Sequence, residues 1–170
     1  MEKDKKTEKK GIPFLWWPFI VALVTFLLDQ VSKILIDVLC PVGWQKGIIP
    51  GLFNLVHWRN TGCAWGFLNQ HTYLLSLISL TAFILVLVFF RSQNGGSRLV
   101  AFAIALLEGG IAGNMVDRII RNSVIDFLDF YVGQNHWPAF NIADSAICVA
   151  IVLILYYNFF MLKKDEKKDA

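Results

Sequence analysis

Four stretches of this chain stay apolar for about 20 residues or more, enough at 1.5 Å per residue to cross roughly 30 Å of hydrocarbon. They run over 13–39, 72–90, 99–120 and 141–162. In a chain of 170 residues that leaves little water-facing sequence: 56% of residues are hydrophobic and 17% charged, against roughly 45–50% and about 25% in soluble domains. The mean hydropathy is +0.53. A soluble globule, a disordered chain and a disulfide-framed secreted module are thereby excluded. The expected fold class is a membrane protein with four transmembrane α-helices in a single integral-membrane domain. The first stretch is too long for a cleaved signal peptide and lacks a small-residue cleavage site near its end, so it is expected to be retained.

Four crossings put both termini on one side, and the basic residues indicate which. Lys3, Lys5, Lys6, Lys9 and Lys10 precede the first stretch, Arg91 and Arg98 lie between the second and third, and Lys163, Lys164, Lys167 and Lys168 end the chain. By the positive-inside rule the tails, 1–12 and 163–170, are cytoplasmic. Trp16, Trp17, Tyr156 and Tyr157 suit an aromatic belt on that face. The basic tails meet water and anionic headgroups, and nothing in the charge pattern points to nucleic acid. The outer segments, 40–71 and 121–140, hold two runs rich in β-branched and aromatic residues, Gly47–Arg59 and Ser123–Val132. Both predict short strands, which together form a small extracytoplasmic sheet. Cys40, Cys63 and Cys148 show no metal-ligand spacing, and free thiols are expected in preference to a Cys40–Cys63 bridge.

Acids are costly inside hydrocarbon and are functional candidates by default. Counted along the helices at 1.5 Å per residue, Asp29 lies about 20 Å and Asp117 about 28 Å from the cytoplasmic ends of their spans, and Asp144 about one turn below the outer surface. Asp126 and Asp129 belong to the outer segment between the last two spans, so five carboxylates gather at one level. Ion pairs compete with chemical roles for Asp29, one turn from Lys33, and for Asp117, beside Arg118. Asp37 and Asp129 are expected to be solvated, and Glu108, deeper in the third span, reads as a polar packing residue. Gly109 to Gly113 (GGIAG) reads as a close-packing helix face.

Two neighbouring carboxylates cannot both ionise cheaply, so one keeps a proton while the other acts as a base. Such a pair can activate water against an amide without a covalent adduct. Rival chemistries fit less well. His57, His71 and His136 are isolated, so no metal is expected. Ser32 and Lys33 lie about 100° apart on a helix, which spoils a Ser–Lys dyad, and Ser145 is a weak nucleophile candidate. Two readings from other classes stay open. One is a proton or solute translocator using the intramembrane acids as a relay, against which the inner halves of the spans offer no ionisable steps. The other is a non-catalytic adaptor packed through its glycine face, which leaves the clustering of acids unexplained.

Five motifs, DQVSK (Asp29–Lys33), NTGCAW (Asn60–Trp65), GNMVDR (Gly113–Arg118), VIDF (Val124–Phe127) and FNIADS (Phe140–Ser145), in this order on four spans, resemble the lipoprotein signal peptidases, or type II signal peptidases. The resemblance implies an aspartyl endopeptidase of the bacterial inner membrane. Such an enzyme removes signal peptides from prolipoproteins whose Cys carries a diacylglyceryl group, cleaving before that Cys. It implies Asp126 and Asp144 as the catalytic pair. Asp29, Lys33, Asn60, Gly62, Asn114, Arg118 and Asn141 would be supporting or substrate-binding positions, with Asp117 a structural partner. It further implies four transmembrane helices under a small outer β-cradle with a short outer helix, an extracytoplasmic active site, membrane lipids around a monomer, and neither cofactor nor metal. Cys63 and Trp65 depart from the usual NTGAAF pattern and bear on pocket shape alone.

Overall fold

The computed structural model describes residues 16–62, 68, 71–92 and 97–161, without the side chains of 89–92. Helix α1 spans Trp17–Leu39, α2 Thr72–Ser92, α3 Arg98–Arg121 and α4 Ile142–Tyr156, the last continuing as a π-helical turn over Tyr157–Met161. Strands β1 (Gln45–Ile49), β2 (Phe53–Asn60), β3 (Val124–Val132) and β4 (Asn135–His136) form an antiparallel sheet in the order β1-β2-β3-β4.

The helices are inside-out relative to a soluble bundle. In α1 the buried residues include Thr25, Asp29, Gln30 and Lys33, whereas Leu23, Val24, Leu27, Leu28 and Val31 are exposed. An apolar exterior around a polar interior is favourable where the surroundings are hydrocarbon. Among the described residues α1, α3 and the run from Ile142 to Met161 are long and apolar enough to cross a membrane, and α2 contributes a shorter apolar run over Thr72–Val88. The four helices lie over the apolar stretches 13–39, 72–90, 99–120 and 141–162 to within a few residues; 13–15 and Leu162 lie outside the described residues.

Helix α3 is the hub, packing against α1, α2 and α4. Its glycines allow this. A Cβ on Gly109 would come within 2.5 Å of the Ala22 carbonyl oxygen on α1, and one on Gly110 within 2.6 Å of the Ala143 carbonyl oxygen on α4. The close packing expected of GGIAG is therefore present, with Gly109 against α1 and Gly110 against α4.

The sheet refines the expectation for Gly47–Arg59. That run is two strands, not one, because Pro50 and Gly51 sit at the centre of a turn closed by Leu52 N–H donating to the Ile49 carbonyl at 3.1 Å. Gly51 has φ +78°, the left-handed conformation that the third residue of such a turn requires. Strand β2 pairs with β3, with Trp58 opposite Asp126 and Asn60 opposite Val124. The sheet thus delivers Asn60 and Asp126 to the end of the helical bundle. No further helix stands among the described residues to match the implied short outer one.

Candidate active site

The face of α1 built by Asp29, Gln30 and Lys33 meets α3 in a fully buried charge network. Lys33 Nζ lies 2.8 Å from Asp29 Oδ2 and 3.1 Å from Asp117 Oδ2, and donates to Asn114 Oδ1 at 2.9 Å. Its three protons are matched by three acceptors, the condition under which a buried ammonium is tolerable. Gln30 Nε2 donates to Asp117 Oδ1 at 3.2 Å, and the same oxygen pairs with Arg121. The Asp29–Lys33 pair is the one the helical spacing suggests. Asp117 instead pairs with Lys33 and Arg121, not with its neighbour Arg118. Gln30 was not singled out from sequence, although polar residues at 25, 29, 30 and 33 in an apolar helix mark a single face.

Each of the two buried aspartates also reaches out of the network to a backbone N–H. Asp29 Oδ1 accepts from Ala143 at the start of α4 at 2.9 Å, and Asp117 Oδ2 accepts from Ile125 at the start of β3 at 3.2 Å. Ala143 precedes Asp144 and Ile125 precedes Asp126. The network therefore anchors the chain directly beside both candidate acids. Gly113 makes room for it, since a Cβ there would collide with Asp29 Oδ2.

Three asparagine amides link the acids. Asn141 is the N-cap of α4: its Oδ1 accepts from Asp144 N–H at 3.0 Å, and Asp144 Oδ2 accepts from Asn141 N–H at 3.2 Å, a reciprocal capping box. Its Nδ2 donates to Asp126 Oδ1 at 2.8 Å, so one residue binds both carboxylates. Asn114 Nδ2 donates to Asp144 Oδ1 at 2.7 Å, and Asn60 Nδ2 to Asp126 Oδ2 at 2.9 Å. Gly62 N–H donates to Asn60 Oδ1 at 2.9 Å, which fixes that amide with its nitrogen toward Asp126. Arg118 donates to the Asn114 and Gly62 carbonyls at 3.4 and 3.5 Å.

Asn60, Asn114, Arg118, Asp126 and Asp144 line one cavity of about 420 Å³, with Trp137, Pro138 and Phe140 as an apolar wall and Ser145 and Cys148 on α4. Asp126 is buried, and burial, reinforced by the charge of Asp144, pushes its carboxyl up to about 7 against the opposing hydrogen bonds of Asn60 and Asn141 and the charge of Lys33. A carboxyl of that kind stays protonated where ordinary aspartates are ionised.

The other sequence-based candidates are engaged in other contacts. Ser32 Oγ donates to the Asp29 carbonyl at 2.8 Å and Ser145 Oγ to the Asn141 carbonyl at 2.9 Å, while Lys33 is fully engaged, so neither hydroxyl faces a free lysine. Asp129 is not solvated. It is buried because Asn54 Nδ2 and His136 Nδ1 bind it at 2.7 and 2.8 Å within the sheet. Asp37, partly exposed, pairs with Arg59 and lies 3.5 Å from His57 Nε2. Glu108 is buried against an apolar cavity of about 220 Å³ between α1, α2 and α3, and among the described residues neither of its oxygens has a hydrogen-bond partner. Cys40 and Cys148 are free thiols; Cys63 and Trp65 lie outside the described residues.

A family model described as signal peptidase (SPase) II matches residues 21–160. Among curated relatives, a lipoprotein signal peptidase of Geobacter metallireducens is 39% identical over 154 residues, covering 89% of this chain and 93% of its own. One from a Janthinobacterium species is 42% identical over 160 residues, covering 92% and 95%. A solved bacterial membrane enzyme, determined by the in meso method, superposes with a TM-score of 0.81 at 30% identity, over 94% of this chain and 95% of that one. With the matched region holding the whole of α3, both candidate acids and the asparagines between them, the chain belongs to the signal peptidase II family, the lipoprotein signal peptidases.

Proposed function

We propose that this protein is an aspartyl endopeptidase that cleaves diacylglyceryl-modified bacterial prolipoproteins before the lipidated Cys, with Asp126 and Asp144 as the catalytic pair. The observation that carries the reading is Asn141, whose side chain and backbone bond both carboxylates at once. Held this way, the pair shares one negative charge. Asp144, at the N-terminal turn of α4 with amide donors on both oxygens, is the ionised base. Asp126, the more deeply buried of the two and held by Asn60 and Asn141, is the acid.

In the reaction Asp144 takes a proton from water as its oxygen attacks the scissile carbonyl, while Asp126 gives its proton to the carbonyl oxygen. Collapse of the tetrahedral intermediate breaks the C–N bond and returns one proton to the leaving amine and one to the pair. Asn60 and Asn141 orient Asp126, and Asn114 orients Asp144. Arg118 borders the cavity where substrate backbone would lie, Gly62 holds the Asn60 amide in place, and Asp29 and Lys33 support the floor. A lipidated Cys keeps its acyl chains in hydrocarbon, so the scissile bond reaches an acid pair at the rim of the bundle sideways from the bilayer. The reading includes four crossings, both termini in the cytoplasm, the sheet and the acids at the outer face of the inner membrane, and a monomer.

Asp126→Asn and Asp144→Asn are each expected to lower cleavage of a lipidated precursor by at least about 1,000-fold. Both variants should insert and accumulate like the parent. Turnover at the parental rate by either variant in a gel-shift assay would remove the assignment.

A further inference from the structure

Lys33 has no direct contact with either candidate acid, yet its position fixes an amide that does. Asn114 Oδ1 receives two donors, Lys33 Nζ at 2.9 Å and Asn141 Nδ2 at 3.2 Å. With that oxygen turned toward an ammonium and a second amide N–H, the Asn114 amide has one workable orientation. Its nitrogen must face away from Lys33, toward Asp144 Oδ1 at 2.7 Å. A flipped amide would set its N–H₂ group against two other donors, a cost of unmade hydrogen bonds and like polarity in a buried site.

We propose that Lys33 is a positioning residue for the acid pair: acting through Asn114 it presents a donor to Asp144 and supplies the nearby positive charge that favours the pair's single negative charge. This deepens the reading of Asp126 and Asp144 as catalysts and rests on it. Asp29 and Asp117 share the same ammonium, so the two functions of the network, anchoring Ala143 and Ile125 and aiming Asn114, meet at one nitrogen. A purely structural lysine would serve the first function alone.

The two roles separate in a pH profile. Lys33→Met is expected to lower kcat about 100-fold with KM within about threefold, and to move the acid limb of the kcat profile up by about one pH unit, because the ionised form of the pair loses a cation. Lys33→Arg should restore the acid limb and part of kcat. Lys33→Met leaves Asp29 and Asp117 short of a cation and could fail to accumulate, so the same comparison is made for Asp29→Asn/Lys33→Met against Asp29→Asn alone, in which a cation and an anion are removed together. An upward move of the acid limb in the double variant relative to the single supports the proposal. Loss of stability or amount with an unmoved acid limb, in whichever variant accumulates, overturns it. Parallel assays of Asp126→Asn and Asp144→Asn keep the two claims apart: parental turnover there removes the catalytic pair, whereas their inactivity alongside an unmoved limb removes only the role of Lys33.

Discussion

Asp126 shows how one side chain can be costly to the fold and useful to the site. It is held in a buried position where its ionised form is disfavoured, first by lost hydration and then by the charge of Asp144. The pKa therefore rises on folding from the ordinary 3.8 to about 7. A group raised in this way contributes its stability in full below the unfolded value and loses it as pH climbs toward the folded one. Between about pH 4 and pH 7 the wild type should lose stability relative to Asp126→Asn, whose side chain is neutral throughout, by at most about 1.4 kcal/mol per pH unit. Thermal unfolding in detergent at several pH values checks this, and a constant gap between the two proteins from pH 4 to pH 8 contradicts it. Much at this scale was legible in advance: the four-residue step from Asp29 to Lys33 announces an ion pair. The burial of Asp129 was not, because its partners Asn54 and His136 are separated from it by 75 and 7 residues and meet it only through sheet pairing.

At the scale of elements, α3 decides the geometry. Gly109 and Gly110 are adjacent in sequence and so face different directions, one toward α1 and the other toward α4. The obstacle each Cβ would meet includes a backbone carbonyl, which cannot rotate aside as a side chain can. Gly110→Ala should therefore force α3 and α4 apart and cost about 1–3 kcal/mol. Gly113→Ala meets a carboxylate oxygen instead and should disturb the Asp29 contact with Ala143, lowering turnover more than stability. Melting temperatures and cleavage rates for the two variants test this; a Gly110→Ala protein as stable as the parent would contradict the close-approach argument. The glycine spacing and the span lengths could be read from sequence because periodicity and length are local properties. The break between β1 and β2 was signalled by Pro50–Gly51, but a continuous apolar run on both sides obscured it. The partnership of Asn60, Asn114 and Asn141 was accessible only as a family resemblance, since these residues come from β2, α3 and the cap of α4, three elements far apart in the chain.

For the whole molecule the governing fact is that polar residues line the interior and apolar ones face outward. Asp29, Lys33, Asp117 and Asn141 are wholly buried, while the lipid-ready side chains of α1, α2 and α4 are exposed. Such a molecule is stable only with its exterior in hydrocarbon. The proposed orientation rests on charge: the lysines cluster before the first span and after the last, with Arg91 near the end of α2 and Arg98 at the start of α3. On the proposed orientation the acids and the sheet fall at the opposite face. A protease-cleavable epitope placed before Glu2 or after Ala170 should be digested in inside-out vesicles and protected in right-side-out spheroplasts. The same epitope inserted at Gly133, the exposed turn between β3 and β4, should show the reverse. Digestion of all three from one side would mean an odd number of crossings between Gly133 and the tails is wrong, and with it the placement of the acid pair at the outer face.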